Sequence, residues 1–293
     1  SKLVNHEYIY NTDIIKTTLE ENLAMIRDTC KFLCDNGRQV IYDAEHFFTG
    51  YQENSEYAIK TLEAAVEGGA KVLSLCETKG GCMLKDCETA VAAVCKHFGD
   101  KVKVGIHTHN DCGLAVANSL VAVESGARHV QGTFLGFGER TGNANLSSII
   151  PCLQLKMGYK CLEDEKLQEL TPIAKRVAEI TNVSLNTQLP FVGGSAFSHK
   201  AGMHIDAVLK NPSAYEHINP ESVGNQRVFL MSEVAGRATI IEKIQKIDPM
   251  ISKDNPVVGD IMKKMKQLEF EGYQFEGADG SFELLARKMI GRY

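Results

Sequence analysis

The segment GIHTHND, residues 105–111, places two imidazoles on alternate positions directly after an apolar run. Side chains two residues apart in a strand project to the same face, so His107 and His109 can contact one ion. Two imidazoles leave several coordination positions open, and imidazole with carboxylate and water suits Zn, Mn, Co or Fe better than Ca. The pattern therefore favours a divalent-metal site over two core histidines that only form hydrogen bonds.

Two further segments carry side chains that could take part in catalysis or metal binding. Glu45 stands beside aromatic residues in IYDAEHF, where burial can raise the pKa of a carboxyl group and suit it to general acid–base chemistry. A capping or salt-bridging carboxylate is the alternative, and Asp43 on the same strand face is an alternative acid or base. Asn143, in GERTGN, either brings an oxygen to the ion or caps the following helix. Glu139 and Arg140 fit a structural ion pair better than an acid catalyst.

The glycine-rich stretch FSHKAGMH contributes His199 and His204, and Tyr215 follows further along. A histidine and a tyrosine in a mobile loop can act as an acid–base pair. Alternatively, His199, His204 and Tyr215 are surface residues without a catalytic role.

Repeated βα segments would position most of these groups. Each has a turn residue, a short β-branched apolar run, then polar residues or glycines, followed by a helical pattern. The four begin at Gly37, Gly69, Asp100 and Gly126. Such units form parallel strands, and the candidate groups all fall at the carboxyl ends, as in TIM barrels and open α/β sheets. Because a closed barrel needs eight strands, either the sheet is open or the front half of the barrel is absent.

From Lys160 the strand rhythm stops and helical spacing takes over. We therefore predict two parts, a βα part over 1–158 and a helical appendage over 159–293 that carries the glycine- and histidine-rich loop.

Composition excludes several classes of protein. The chain of 293 residues is 44% hydrophobic and 24% charged, with a net charge of -5 and no basic block, which disfavours nucleic-acid binding. No apolar run is long enough for a membrane span, and SKLVNHEYIY lacks the apolar core of a signal peptide. Nine cysteines without a paired Cys-x-x-Cys indicate reduced thiols in a cytoplasmic protein.

Taken together, these segments resemble the 2-isopropylmalate/homocitrate/citramalate synthase family of the DRE-TIM metallolyase group. The resemblance runs along nearly the whole chain, and DAEHFF and the stretch around YEHI point to the (R)-citramalate synthase branch. The stretches that carry it are YDAEHFFTGY, GIHTHNDCGLAVANS, GERTGNANL, SAFSHKAGMH and YEHINPESVGN.

The resemblance implies a Claisen condensation of acetyl-CoA with a 2-keto acid, most simply pyruvate, at a divalent metal such as Zn, Mn, Mg or Co, with release of CoA. It implies His107, His109 and Asn143 at the metal and Glu45 as a catalytic carboxylate. Two further matches concern the substrates and the partner subunit. Thr78 matches the contact to the keto-acid carboxylate, while His204 and Tyr215 match a pair that reaches into the partner subunit's site in a homodimer.

The chain also departs from the family's pattern. A DTNGG-like stretch reads ETKGG here, with Glu77 and Lys79 as the changed positions. The family's opening Asp-x-Thr-Leu-Arg-Asp-Gly strand, which supplies a third metal ligand and an arginine, has no counterpart, nor does its C-terminal regulatory domain. We therefore expect an α/β fold that is the second half of a TIM barrel, strands 5–8 with the end of the fourth unit, followed by a mostly helical linker subdomain. The alternatives are a non-catalytic fragment or subunit, and a lyase or carboxyltransferase of the same superfamily.

Overall fold

Four parallel strands, paired in chain order, form the central sheet of the computed structural model, which describes residues 16–200, 202–229, 237–273, 275 and 278–292. The strands are β1 (Ile41–Ala44), β2 (Val72–Glu77), β3 (Lys103–Thr108) and β4 (His129–Gln131). Each lies within one of the four segments predicted from the sequence. The sheet belongs to the first of two compact units, Ser1–Cys161 and Leu162–Tyr293, called unit 1 and unit 2 below.

The helices of unit 1 alternate with the strands, as the βα pattern requires. They are α1 (Leu19–Asp35), α2 (Phe47–Glu53), α3 (Ser55–Glu67), α4 (Leu84–Phe98), α5 (Ala115–Glu124) and α6 (Leu146–Pro151). The first of them begins where its sequence provides a cap, since the Thr18 hydroxyl accepts from the Glu21 backbone N–H at 3.1 Å. Its buried residues Ile26 and Cys30 are one helical turn apart and face the core.

The two faces of the sheet differ in chemistry because successive strand residues point to opposite sides. Tyr42, Leu75 and Ile106 lie on the face that packs against the helices, and all three are buried in one apolar cluster. The other face, called the polar face below, is set by the strand register. It carries Asp43, Ser74, Cys76, Gly105, His107, His129 and Gln131.

A glycine makes room on this polar face for a ring. A Cβ atom on Gly105 would lie 2.9 Å from Cδ2 of His129, its neighbour in register on β4. The absence of a side chain at 105 therefore allows the His129 ring to lie across β3, two residues before His107.

Unit 2 is mostly helical. Its helices are α7 (Asp164–Leu167), α8 (Leu170–Ile180), α9 (Gly202–Lys210), α10 (Arg237–Ile247), α11 (Pro256–Phe270) and α12 (Asp279–Ile290). The last three share an apolar cluster that includes Ile244, Ile261 and Phe282, each nearly fully buried. Two very short parallel strands, β5 (Ser198–His199) and β6 (Val228–Phe229), complete the unit.

The glycine-rich stretch of unit 2 differs from its prediction as a loop. Helix α9 begins at Gly202, so His204 lies in its first turn. The reason is a helical spacing of apolar residues that the nearby glycines obscure, since Ile205 and Val208 are both fully buried. Among the residues that the structure describes, no helix is long and apolar enough to cross a membrane.

Candidate metal and acid–base site

The two histidines of GIHTHND lie next to each other on the polar face. His107 is in β3 and His109 follows the strand, and their ring centroids are 5.3 Å apart. The backbone N–H of His109 donates to the Glu77 carbonyl at 3.1 Å, which continues the pairing of β3 with β2. The shared orientation predicted from the spacing is therefore present in the structure.

The imidazoles differ in their partners. His107 Nδ1 lies 2.8 Å from Gln131 Oε1, whereas His109 Nδ1 is buried without a hydrogen-bond partner among the described residues. Burial, followed by the charges of His107 and Arg140, lowers the pKa of His109. A lowered pKa keeps the imidazole neutral over more of the physiological range, and a neutral imidazole is the form that binds a metal.

Asn143 lies beside this pair. Its backbone forms an antiparallel bridge with His109, and its backbone N–H donates to the Gly136 carbonyl at 3.0 Å. The side-chain Oδ1 is buried and has no hydrogen-bond partner in the described part of the chain. The capping alternative for Asn143 is wrong, because Asn145 caps α6 and accepts from the Ser147 backbone N–H at 3.0 Å.

Glu45 and Thr78 are joined at the ends of β1 and β2. The Thr78 hydroxyl donates to Glu45 Oε2 at 2.9 Å and accepts from the His46 backbone N–H at 2.7 Å. His46 has a left-handed φ of 59°, which turns the chain from β1 into α2. The Thr78 hydroxyl therefore holds the Glu45 carboxylate at the strand end. The charge of this carboxylate opposes the lowering of the His109 pKa without reversing it.

An ion pair that the sequence did not reveal ties together three of the loops at this edge. Arg140 donates from Nε and Nη2 to the two carboxylate oxygens of Asp111, both at 2.8 Å, and Nη2 also donates to the Thr78 carbonyl at 2.9 Å. The expected pairing of Arg140 with Glu139 is thus replaced by a pairing with Asp111. The hydrogen bond from Arg140 lowers the pKa of the Asp111 carboxyl. We call this arrangement the Arg140 clasp.

Glu77, which departs from the family's DTNGG-like stretch, stabilises the turn that follows β2. It lies in β2 on the helix-packed side, is 4% exposed, and accepts from the Gly81 backbone N–H at 3.2 Å. Burial raises its pKa despite backbone hydrogen bonds from Gly81, Cys82 and Gly80 that oppose the rise. This departure from the family pattern therefore falls away from the polar face, on a side chain that supports the turn before α4.

In unit 2 the predicted His204–Tyr215 pair is in contact, with ring centroids 4.4 Å apart and planes inclined by 31°. Tyr215 is 50% exposed. The next residue, Glu216, is buried and paired with Arg227 at 2.5 and 2.6 Å, with His199 Nε2 at 3.3 Å. The tyrosine therefore precedes a buried ion pair in the chain, and His199 contacts that ion pair rather than the His204–Tyr215 pair.

The polar face of unit 1 brings together side-chain donors that could form part of a metal site. His107, His109 and Asn143 present nitrogen and oxygen donors, and two of these donors are buried without partners among the described residues. Such lone pairs fit a divalent cation, because burial without a partner is otherwise unfavourable. Within the described ranges, no group of three or more His, Cys, Asp or Glu side chains is placed to hold a metal. The donor set therefore leaves coordination positions open.

Comparison with known proteins connects this geometry to a family. Residues 8–177 match the HMGL-like family, and residues 191–272 match the homocitrate synthase post-HMGL domain-like family. The (R)-citramalate synthase of Aquifex aeolicus is 50% identical over 97% of this chain and 53% of its own length. A 2-isopropylmalate synthase of Sulfolobus acidocaldarius is 32% identical over 98% of this chain and 73% of its own length.

A solved structure resembles the fold. The Bacillus subtilis HMG-CoA lyase superposes with a TM-score of 0.53 at 23% identity, covering 61% of this chain and 62% of that one. At this level of identity the likeness concerns the fold alone, which is the α/β fold of the TIM-barrel class expected from the sequence. The chain spans about half the length of the (R)-citramalate synthase it matches.

Proposed function

The chain belongs to the HMGL-like family, and on that premise we propose that it condenses acetyl-CoA with a 2-keto acid, pyruvate first among them, and releases CoA. One observation carries the proposal, the 50% identity to an (R)-citramalate synthase over 97% of this chain. The homocitrate synthase post-HMGL match over residues 191–272 supports a synthase over a lyase of the same fold. Because fold alone does not determine function, the residues at the strand ends must also be able to carry out this reaction.

The residues of the polar face fit a divalent cation of the Zn, Mn, Mg or Co class. His107 and His109 would hold it, with Asn143 Oδ1 beside them. When bound, the cation supplies the Lewis acidity that polarises the carbonyl group of the keto acid. Both imidazoles are on the polar face, on the side of the sheet opposite the apolar helix layer.

In this proposal Glu45 is the general acid or base of unit 1. Its carboxylate accepts from the Thr78 hydroxyl at 2.9 Å, which holds it at the strand end. A hydroxyl has one proton to donate, so Thr78 must turn away from Glu45 to donate to the carboxylate of the keto acid. Substrate binding would then free one oxygen of Glu45 to take up or return a proton.

His204 and Tyr215 provide a second acid–base pair, and in a homodimer they serve the site of a neighbouring subunit. Their close ring contact and the half-exposed Tyr215 support a pair that is available to a substrate. The neighbouring Glu216–Arg227 ion pair would keep the pair in place. The nine free cysteines fit the reducing environment of the cytoplasm, where we place the reaction.

The proposal is tested by release of CoA from acetyl-CoA, measured with a thiol reagent on the protein of natural length. Pyruvate, 2-oxoisovalerate and 2-oxoglutarate are compared, and pyruvate is expected to give the highest kcat/KM. Glu45→Gln should lower kcat about 10²–10⁴-fold, the usual contribution of a general acid or base. Glu53→Gln, at an exposed glutamate in α2, is the matched control and should leave the rate unchanged. Failure of all three acids to release CoA would refute the condensation.

The dimer is tested separately by mixing inactive variants. A His204→Ala chain and a His107→Ala chain are each expected to be nearly inactive, and mixed dimers should regain part of the native activity. Recovery is expected because one of the two sites in a mixed dimer would contain a native His107 and a native His204. If mixing restores nothing although mixed dimers form, the two histidines belong to the same chain's site.

A further inference from the structure

Two hydrogen bonds in series cross the polar face from the first strand of the sheet to the last. Gln131 Nε2 donates to Asp43 Oδ1 at 2.7 Å, and Gln131 Oε1 lies 2.8 Å from His107 Nδ1. Register explains the crossing, because Asp43 pairs with Ser74 of β2 while Gln131 pairs with His107 of β3. Side chains from β1 and β4 thus meet above the two central strands.

The donors and acceptors in this series determine which way each group is oriented. A carboxylate only accepts hydrogen bonds, so the amide NH₂ of Gln131 must face Asp43 and its carbonyl oxygen must face His107. That oxygen also only accepts, so His107 Nδ1 must carry the proton. The reversed amide would bring its oxygen against the carboxylate and lose that hydrogen bond, and it could then donate to His107 only if the imidazole were protonated on Nε2 instead. The orientation of the imidazole therefore follows from Asp43, through Gln131.

We propose that Gln131 is a positioning residue that fixes His107 as the tautomer with its proton on Nδ1 and its lone pair on Nε2. The lone pair is then available for the cation of the proposed function, on which the metal-binding part of this inference rests. Imidazole ligands of metals commonly donate their other ring N–H to a fixed oxygen, which sets the tautomer and the ring orientation. In this protein the oxygen belongs to a neutral amide, and a carboxylate on the far strand orients that amide.

The neighbouring histidine provides a contrast within the same site. His109 Nδ1 is buried without a partner in the described part of the chain, so nothing comparable orients its ring. His107 is accordingly the ligand that the fold prepares in advance, and His109 is the ligand that the cation itself would orient. We expect removal of Gln131 or Asp43 to act on His107 alone.

The tautomer can be read without any metal or substrate. The metal-free protein is labelled with ¹⁵N-histidine and its nine histidines are observed by long-range ¹H–¹⁵N correlation, about two pH units above the ordinary histidine pKa of ~6.5. The His107 signals are identified by their loss in His107→Gln. Native His107 is expected to show one tautomer, protonated on Nδ1. Asp43→Asn should give a mixture of the two His107 tautomers, because an amide at position 43 can form a hydrogen bond with Gln131 in either of its orientations.

An exchange of the two groups provides the rescue. In Asp43→Asn with Gln131→Glu, the amide donates from position 43 and the carboxylate at 131 accepts from both the amide and His107 Nδ1. The double variant should therefore recover the single Nδ1-protonated tautomer that Asp43→Asn loses. A native protein protonated on Nε2, or an Asp43→Asn variant with an unchanged single tautomer, would overturn the proposal.

Binding of Mn²⁺ alone, measured by isothermal titration calorimetry, gives the second reading. Asp43→Asn should bind Mn²⁺ about 10–100-fold more weakly, the usual loss when an outer partner of a ligand is removed, and the double variant should regain native affinity. Native-strength binding by Asp43→Asn would contradict the positioning role. If none of the proteins binds Mn²⁺, the metal site of the proposed function fails, and the tautomer readings still decide the role of Gln131.

Discussion

Replacing Gly80 by alanine is expected to break the Arg140 clasp and to destabilise unit 1. Gly80 has a left-handed φ of 73°, and a Cβ atom there would lie 2.0 Å from Asp111 Oδ2 and 2.6 Å from Asp111 Cβ. The carboxylate in the way is the one that receives two hydrogen bonds from Arg140. Alanine must therefore displace Asp111 or shift the turn after β2, and either change separates the loops that the clasp joins.

The size of the effect follows from two contributions. A non-glycine residue in the left-handed region costs roughly 1–2 kcal/mol, and forcing an extra carbon into a filled space costs about 1–3 kcal/mol. Gly80→Ala should thus lower the free energy of unfolding by about 2–5 kcal/mol if the two contributions add. Gly81 in the same turn is the matched control, since its Cβ would have nothing within 4 Å and its φ lies outside the left-handed region. Gly81→Ala should stay within about 0.5 kcal/mol of the native protein.

Urea titration followed by far-UV circular dichroism measures this difference. The sequence contains no tryptophan, so the backbone signal is preferred to fluorescence. Because the chain has two compact units, the transition that shifts between Gly80→Ala and Gly81→Ala is the one assigned to unit 1. Equal free energies of unfolding for the two variants would refute the reasoning, because only Gly80 combines the left-handed backbone with the close approach of Asp111.

Further variants test the core of unit 1 and the ion pair of unit 2. Ile106→Ala, at a fully buried position of β3, should cost about 2–5 kcal/mol of unfolding free energy in the same titration, and Ile41→Ala, 45% exposed, clearly less. The hydrogen bond from Arg227 lowers the pKa of Glu216, so its stabilisation is complete above the ordinary glutamate pKa of ~4.3 and is lost as the pH falls through the folded value. The advantage of the native protein over Glu216→Gln should therefore be full at neutral pH and shrink below about pH 4; equal advantages at both pH values would contradict this linkage.

The sequence predicted the sheet well because its signals are local. Each strand is a short apolar run between a turn and a helical pattern, and the spacing of His107 and His109 places both imidazoles on one face whatever surrounds them. Residue types suggest His204 and Tyr215 as an acid–base pair and the family resemblance supports it, but no local pattern predicts that they touch across the 212–214 turn.

The partners of the site residues could not be predicted in this way. Gln131 and Asp43 are 88 positions apart, and Asp111 and Arg140 are 29 apart, so only the strand order and the loop paths bring them together. Asn143 and Asn145 illustrate a finer limit, because both fit the N-cap preference and the backbone alone decides which one caps α6. Strands of two residues such as β5 and β6 are too short to show any period.

The central claim, that the polar face holds one divalent cation between His107 and His109, is tested most directly by metal stoichiometry. The protein of natural length is loaded with Mn²⁺, freed of excess metal, and analysed by inductively coupled plasma mass spectrometry. It is compared with the His107→Ala, His109→Ala double variant and with a His97→Ala control, whose side chain is exposed on helix α4. We predict one Mn²⁺ per chain in the native protein and in His97→Ala, and none in the double variant. A double variant that binds as much Mn²⁺ as the native protein would contradict the claim.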